Sequence, residues 1–508
     1  MQAQTDRYIL AIGCFATVLV SLFSVSSGSL WTDEFGTWLI TRANTLAEWW
    51  QRFQSWPDSD TQLPLYHLYM YIWAKAFGTG PVEMRASNAV FLLIANVAAL
   101  WPFRSQRQMI VPVIAVFSSS ATIWYYMNEI RPYIVLHAGS CLMLSGLVLL
   151  MADQKSSSCV GFRFLCAGSL LACGATVLGI LWTGAAALFA MIYWIVLAKR
   201  PWRELFSGNY VAFAFTLLCV AALFGRALYM ASLGRSPAQI NDSSSLTLIF
   251  AFYTNFGLLG IGPGMLDVRA EGIRAFDGFY LNIAFSAFVL GVVAIAGISE
   301  LRARIGLRAV LVAVCFVLFP ILVTHSVGVA TGWRVLPRHL ISMVCLVGAL
   351  YALGVVWWWR RGAVGMVVAS TAIVILCSSA LSVRYAARHA KDDYRRAAAM
   401  ASAELAGGGN VWWVGDGRGL LYYSVPLRGF DFDPVHGKLI QSGSGERADG
   451  VWVVNWAVSP DLSTRKPPTL VLLSKPDSFD RRNVMQDYLH AEQYRQVQAF
   501  PAFSVWRK

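Results

Sequence analysis

Long apolar runs separated by short polar segments occupy the first three quarters of the chain. Runs such as 8–27, 280–299 and 340–359 are close to the ~20 residues that a helix needs to cross the hydrocarbon of a bilayer. A helix satisfies its own backbone hydrogen bonds, which an open strand in lipid does not. The pattern therefore predicts an α-helical bundle that spans a membrane.

Lysines and arginines cluster in the short segments between these runs, which is typical of cytoplasmic loops. We place the clusters at 104–107, 155–163, 199–203, 302–308 and 360–361 inside, together with the N terminus. The apolar runs then predict about eleven spans: roughly 8–27, 84–103, 109–127, 132–151, 162–182, 184–198, 210–232, 279–298, 309–326, 339–358 and 363–381. An odd number of crossings puts the C terminus outside.

Two further apolar stretches do not fit this count as crossings. Residues 63–77 contain His67 and Lys75, and residues 246–264 are interrupted by Asn255 and several glycines. Because both stretches are short or interrupted, we expect interfacial or re-entrant helices that lie parallel to the membrane. They belong to two long external loops, about 28–83 and 233–278.

The composition becomes polar after about Ser382. Short β-rich runs at 411–414, 451–455 and 469–473 alternate there with polar helical stretches such as 392–405. This pattern predicts a small soluble α/β domain over 382–508, outside the cytoplasm, that follows a membrane module over 1–381.

Composition narrows the classes of partner. Charged residues make up 14% of the chain, against about 25% in soluble proteins. The formal charge of +13 comes from dispersed loop clusters and not from one patch, so nucleic acid is not an expected partner. All nine cysteines lie at or before Cys377, mostly in apolar runs, which argues against disulfides and a cysteine metal site.

The carboxylates lie in the predicted external loops and not inside the spans. Asp33 and Glu34 open the first loop, just beyond the first helix, at the rim of the bilayer. Spans without acids argue against a proton-coupled transporter. A structural alternative is that the acidic pair only caps a helix.

Several arginines also fall at external ends, where the positive-inside rule does not expect them. Glu129, Arg131 and Tyr133 lie in a tight turn between two spans, and Arg334, Arg338 and His339 lie at another external end. These arginines indicate an anionic ligand, although arginines at a membrane rim also snorkel to lipid phosphates. External carboxylates and external arginines together predict an acid/base pole and an anion-binding pole.

These segments resemble the GT-C glycosyltransferases, in particular the branch of protein mannosyltransferases and aminoarabinose transferases that uses polyprenyl-phosphate sugars. The matching pieces are residues 31–34, 62–67, 77–78 with Glu83 and Arg85, 129–133 and 337–339. The motifs are concentrated in about the first 135 residues, and the rest matches in architecture. Members of the family carry membrane-parallel helices in the first external loop and often end in a soluble external domain.

The resemblance implies a single displacement with inversion. Asp33 would accept the proton of an acceptor hydroxyl as it attacks the anomeric carbon, and Glu34 would hold geometry or the acceptor. Where family members often carry His-Pro-Pro or a lysine before proline, this chain has Gln62-Leu63-Pro64. We therefore assign the donor phosphate to Arg131 and Arg338, and we group the remaining candidates for substrate binding with them: Glu129, Tyr133, His67, Gln62, Arg334 and His339.

The sequence thus predicts a glycosyltransferase of a bacterial inner membrane, with its active site outside the cytoplasm. The predicted partners are a polyprenyl-phosphate sugar, a lipid, glycan or protein acceptor, and membrane lipids. No cofactor or metal site is assigned, and assistance by a divalent cation is left open. Two alternatives remain: a ligase that moves a glycan from a polyprenyl diphosphate, and a lipid or glycan flippase, against which the acid-free spans argue.

Overall fold

A computed structural model describes residues 2–55, 63–152, 155–206, 209–232, 245–425, 430–433, 438–441, 451–453, 462 and 467–508. Gln62 and residues 233–244 of the second predicted loop lie outside the described residues. Contacts group the chain into two compact units. The first comprises Met1–Val25, Asp58–Trp73 and Glu83–His389, and the second comprises Ser26–Pro57, Ala74–Val82 and Ala390–Lys508.

Most of the described chain before residue 390 is helical. In order, the helices are α1 (Gln2–Ser24), α2 (Thr32–Thr41), α3 (Leu46–Ser55), α4 (Pro64–Phe77), α5 (Pro81–Ala86), α6 (Asn88–Leu100), α7 (Arg107–Ser118), α8 (Ala121–Met127), α9 (Tyr133–Met151), α10 (Lys155–Ala175), α11 (Val177–Met191), α12 (Trp202–Phe206), α13 (Tyr210–Ser232), α14 (Ser245–Tyr253), α15 (Met265–Glu271), α16 (Tyr280–Thr331), α17 (Val344–Trp359) and α18 (Gly362–Tyr385).

The described residues contain 8 helices long and apolar enough to cross a membrane, and α7 and α8, which are bent by 56°, make a ninth when the pair is counted as one span. Two features account for the remainder of the predicted crossings. Helix α16 has 52 residues, about 78 Å of helix, which is long enough for the two crossings predicted at 279–298 and 309–326. It breaks between them at Gly306, where φ is 80°. Helix α10 has 21 residues and overlaps the predicted span 162–182 in residues 162–175. The expected helical membrane bundle is confirmed, and the chain is an integral membrane protein.

One predicted boundary is wrong. The sequence placed a break between spans at about residue 183, whereas α10 ends at Ala175 and α11 begins at Val177. Thr176 caps α11, because its side chain accepts a hydrogen bond from the Gly179 amide at 3.3 Å. The cap lies inside a continuous apolar run, so hydrophobicity alone could not locate it.

Among the long apolar helices that the structure describes, α9 has the largest buried share, 94% of an 18-residue apolar stretch. It packs along α10 through small residues, as helices in membranes commonly do. A Cβ atom on Gly146 would lie 2.6 Å from the Gly161 carbonyl oxygen, so only glycine permits this approach. A Cβ atom on Gly139 would lie 2.8 Å from the Gly168 carbonyl oxygen, so the close packing also reaches the N-terminal half of α9, which begins at Tyr133.

The two apolar stretches excluded as crossings form short helices. Helix α4 has 14 residues, about 21 Å of helix, which is shorter than the ~30 Å hydrocarbon core. Helix α14 continues into a π-helical turn, Thr254–Leu258, which ends the helix with Gly257 at φ 87°. As predicted for these two stretches, α4 is short and α14 is interrupted.

The predicted α/β domain is present in the second unit. Its five-stranded sheet has the order β4-β1-β5-β7-β6, with β1 (Val411–Val414), β4 (Val451–Val453), β5 (Leu470–Ser474), β6 (Arg495–Phe500) and β7 (Phe503–Arg507). Strand β1 is parallel to β4 and β5, whereas β7 is antiparallel to β5 and β6. Strands β2 (Phe430–Asp433) and β3 (Lys438–Gln441) pair antiparallel in a separate two-stranded sheet, and the helices are α19 (Tyr394–Ala406), α20 (Arg418–Tyr422), α21 (Pro476–Phe479) and α22 (Val484–Ala491).

The second unit also includes part of the first predicted loop. Phe35 of α2 meets Tyr394 edge to face at 5.2 Å between ring centroids, and Trp38 meets Tyr422 at 4.8 Å. These contacts join residues more than 350 positions apart in the sequence, as the separation of 362 between Thr32 and Tyr394 illustrates. The compact unit therefore extends beyond the predicted boundaries of the soluble domain, 382–508, to include α2 and α3.

Candidate active site

The turn between α8 and α9 carries the predicted group Glu129, Arg131 and Tyr133. All three are buried, with exposed fractions of 1%, 7% and 5%. Arg131 Nη2 donates a hydrogen bond to Tyr133 Oη at 3.2 Å, and the guanidinium carbon lies 5.7 Å from the centroid of the tyrosine ring. The Tyr133 side chain therefore holds the Arg131 guanidinium next to the first turn of α9.

Arg338 approaches the same ring from a different part of the chain. It lies in the 3₁₀ helix Pro337–Met343, and its guanidinium carbon is 5.9 Å from the Tyr133 ring centroid. Tyr133 thus has two cations near its ring, and Glu129 and Arg338 both act electrostatically on the adjacent Tyr126. We call Arg131, Tyr133 and Arg338 the arginine cluster. Guanidinium groups brought together in a partly dehydrated setting favour an anion such as phosphate.

Two buried asparagines hold the backbone of these turns. Asn88 Nδ2 lies within hydrogen-bonding distance of the carbonyl oxygens of Tyr126, Met127 and Glu129, at 3.4, 3.2 and 2.7 Å. Asn255 Nδ2 donates to the Pro337 carbonyl oxygen at 3.0 Å. Sequence reasoning missed both as functional residues, although an amide inside an apolar helix is a signal for such a role.

His339 has a structural task. Its Nδ1 accepts a hydrogen bond from the Leu336 amide at 3.0 Å, so its proton lies on Nε2, and its ring stacks on Trp333 at 4.5 Å with 21° between planes. These contacts shape the turn that presents Arg338. Arg334 is half-buried in the same turn.

His67 lies on α4 and is 2% exposed, with its ring 5.5 Å from that of Tyr66. Gln62, the other candidate from this segment, lies outside the described residues. Among the described residues, no group of three or more His, Cys, Asp or Glu side chains is arranged to hold a metal ion.

The carboxylates Asp33 and Glu34 belong to the second compact unit, whereas the arginine cluster belongs to the first. Glu34 is fully buried and its Oε2 accepts a hydrogen bond from the Trp31 amide at 3.2 Å, which caps the N terminus of α2. Asp33 is half-buried at the second position of the helix. Glu34 is thus a helix-capping residue, whereas Asp33 is the more accessible carboxylate.

The α/β domain surrounds the start of α2 with polar groups that sequence reasoning missed. Tyr394 Oη and Thr32 Oγ1 are 3.0 Å apart and share a hydrogen bond. Burial, followed by the nearby carboxylates of Asp416 and Asp392, raises the pKa of Tyr394 above its ordinary value. Its hydroxyl therefore stays protonated at neutral pH and keeps this contact.

Comparison with solved structures identifies the fold. ArnT from Cupriavidus metallidurans in the apo state matches with a TM-score of 0.53 at 13% identity, over 97% of this chain and 96% of that chain. The chain has the ArnT fold. This agrees with the architecture expected from the GT-C resemblance.

Two further structures are similar at lower scores. ArnT from the same organism bound to undecaprenyl phosphate gives a TM-score of 0.47 at 12% identity, covering 98% of this chain and 97% of that chain. Arabinofuranosyltransferase AftD from Mycobacteria gives 0.44 at 16% identity, over 99% of this chain and 41% of that chain. No family model matches the sequence, and no curated protein matches it.

Proposed function

We propose that this protein is a glycosyltransferase that moves a monosaccharide from a polyprenyl-phosphate carrier to an acceptor hydroxyl by inverting single displacement. The observation that carries the proposal is the approach of Arg131 and Arg338 to one tyrosine ring, because paired guanidinium groups suit a phosphate whose charge grows during the reaction. ArnT, which has the same fold, has also been solved with undecaprenyl phosphate bound.

In the proposed reaction, the acceptor oxygen forms a bond to the anomeric carbon while the bond from that carbon to the phosphate oxygen breaks. The Asp33 carboxylate takes the hydroxyl proton, and the departing polyprenyl phosphate keeps the electron pair. Arg131 and Arg338 stabilise the charge that develops on the phosphate. Glu34 keeps Asp33 in place through the cap at Trp31.

We place the reaction outside the cytoplasm, because nucleotide sugars are not normally available there and a lipid-linked donor replaces them. The positive-inside rule supports this orientation, since the lysine and arginine clusters then face inward. In a bacterium the membrane would be the inner membrane.

A panel of polyprenyl-phosphate sugars tests the function directly. Purified protein is incubated with each donor and an envelope lipid, glycan and peptide extract, and the release of polyprenyl phosphate is measured. We expect one donor to lose its sugar with wild-type protein and with the exposed control Asp487→Asn, but not with Asp33→Asn. Turnover of polyprenyl-diphosphate glycans alone would instead support the ligase alternative.

Cysteine labelling tests the orientation. In a variant without the nine native cysteines, Ala491→Cys in the α/β domain should react with an impermeant thiol reagent at the outer face of the membrane. Arg302→Cys should stay protected until the membrane is opened. Both positions are exposed in the structure. The reverse pattern would invert the proposed topology.

A further inference from the structure

Lys475 is a buried cation of the α/β domain that the proposed reaction does not use. It follows strand β5 directly and is 8% exposed. Its backbone is left-handed, with φ 37°, a conformation that a non-glycine residue keeps only when its surroundings hold it there. Its ammonium bonds to the carboxylate of Asp392, which is itself 4% exposed. The position of this ammonium is therefore tightly fixed.

The same ammonium reaches the start of α2. Lys475 Nζ donates a hydrogen bond to Thr32 Oγ1 at 3.2 Å, and it lies 5.7 Å from the centroid of the Trp31 ring. An ammonium has three donors, so the bond to Asp392 leaves others for this contact. Thr32 immediately precedes Asp33 in the helix.

A second cation holds the other oxygen of Thr32. Arg418 Nη2 donates to the Thr32 carbonyl oxygen at 3.3 Å, while Arg418 Nε bonds to both carboxylate oxygens of Asp416 at 2.9 and 3.0 Å. Thr32 is thereby held by Tyr394, Arg418 and Lys475, which are 362, 386 and 443 positions away in the sequence.

We propose that Lys475, fixed by Asp392, is a positioning residue for transfer and acts on the Asp33 carboxylate through Thr32. The inference rests on the proposed function, in which Asp33 is the base. The first turn of a helix lacks part of its own hydrogen bonding, so its exact placement depends on outside contacts. Proton transfer requires the base to lie within hydrogen-bond reach of the acceptor hydroxyl, which makes small displacements costly.

A purely structural ion pair would behave differently. Removing one partner of a buried pair destabilises the fold, because the other charge is left without compensation. Such a role would lower the melting temperature without changing kcat of the folded protein. A positioning role lowers kcat of the folded protein and leaves KM for the donor nearly unchanged, since the donor phosphate is assigned to other residues.

Kinetics of full-length variants separate these roles. For Lys475→Met we expect kcat to fall roughly 10- to 100-fold with KM for the donor unchanged within about twofold, as for a base displaced by about 1 Å. Lys475→Arg keeps a donor for Asp392 and Thr32 and should recover part of kcat. Arg507→Met, which breaks the ion pair with Glu404 in the same domain, is the matched control and should have wild-type kcat.

Thr32→Val tests the route of the effect, because it removes the hydroxyl and leaves Lys475 and Asp392 intact. If Lys475 acts through Thr32, the double variant Thr32→Val/Lys475→Met should be no slower than the slower single variant. If Lys475→Met does not fold, Lys475→Met/Asp392→Asn removes both charges and supplies the same readout. A wild-type kcat in Lys475→Met or in Lys475→Met/Asp392→Asn would overturn the proposal. So would losses of kcat in Thr32→Val and Lys475→Met that add up in the variant carrying both changes.

Hydrogen exchange supplies a readout that needs no substrate. The amides of residues 31–35 should exchange faster in Lys475→Met than in wild type or Arg507→Met, and unchanged exchange would overturn the proposal whatever the activity. Lack of transfer by wild-type protein with every donor, together with faster exchange in Lys475→Met, would instead show that the proposed function has failed while the anchoring contact stands.

Discussion

The arginine cluster and the start of α2 are organised in different ways. The arginine cluster is formed at the ends of membrane helices, where Asn88 and Asn255 bind the backbone carbonyls of the turns. The start of α2 is held by side chains of a soluble domain encoded hundreds of residues later, among them Lys475. The position of the proposed phosphate-binding residues thus depends on how the membrane helices pack. The position of the proposed base depends instead on a soluble domain that follows the membrane helices in the sequence.

The largest expected effect is at Asp33. Asp33→Asn removes the proton-accepting charge and should lower the transfer rate by roughly 10²- to 10⁴-fold, the usual contribution of a general base. The melting temperature should stay near that of wild type, because the Trp31 cap depends on Glu34. Rates are measured with the donor found in the panel. A variant within a few-fold of wild type would remove Asp33 from the base role.

A smaller loss is expected in the arginine cluster. At Arg131 and at Arg338, transfer rates should follow the order arginine, lysine, glutamine, because lysine keeps the charge but loses the planar fork. Each glutamine variant should lose about tenfold or more in donor affinity, as expected for one charge-assisted hydrogen bond. Direct binding of the polyprenyl-phosphate sugar is the measurement, with Arg302→Gln as an exposed control. Unchanged donor affinity in both glutamine variants would contradict phosphate binding here.

The asparagine that holds the turn gives a sharper contrast. Asn88→Leu should destabilise the protein by about 1–3 kcal/mol, because buried carbonyls lose their donor, and it should also weaken donor binding. Asn96 is the matched control. It is buried on the same helix, but its Nδ2 bonds to Thr17 Oγ1 at 3.1 Å and not to the turn. Asn96→Leu should lower the melting temperature without affecting the donor, and equal donor defects in both variants would refute the positioning of Arg131 by Asn88.

Glu34 separates capping from chemistry. Glutamine can accept the same hydrogen bond from the Trp31 amide, so Glu34→Gln should retain activity within a few-fold. Glu34→Ala loses the cap and should cost about 1 kcal/mol of stability, as lost helix caps do. Thermal unfolding and transfer rates are measured on the same samples. Abolished transfer in Glu34→Gln with normal stability would give the charge of Glu34 a direct chemical role.

The smallest effect concerns His389, the last residue of the first unit. Burial, followed by the charge of Arg388, lowers the pKa of His389 to about 4, while Asp267 opposes the shift. The unfolded chain therefore binds the proton more tightly, and the stability contributed by the neutral ring is complete above about pH 6.5 and is lost as the pH falls towards 4. The melting temperature of His389→Gln should fall less than that of wild type between pH 7 and 5. Parallel curves would contradict this account.

Much of the candidate site was visible in the sequence because its signals are local. Arg131 and Arg338 stood out as cations at the wrong ends of apolar runs, and helix capping was an alternative for the acidic pair Asp33 and Glu34, which the structure shows for Glu34. The second asparagine, Asn255, was noticed only as an interruption of an apolar stretch. Its bond to the Pro337 carbonyl depends on two segments 82 residues apart, which no local pattern reports.

The sequence by itself determined the membrane bundle, because every crossing must bury a run of apolar side chains and satisfy its backbone internally. Short β-rich runs that alternate with polar helical stretches also predicted that a polar α/β domain follows. Strands β1 and β5 confirm this prediction. Only the tertiary structure decided that Thr32 is held by Lys475 and that two arginines share the ring of Tyr133. Those contacts arise from long-range packing, in which each residue type is compatible with many partners and geometry selects one.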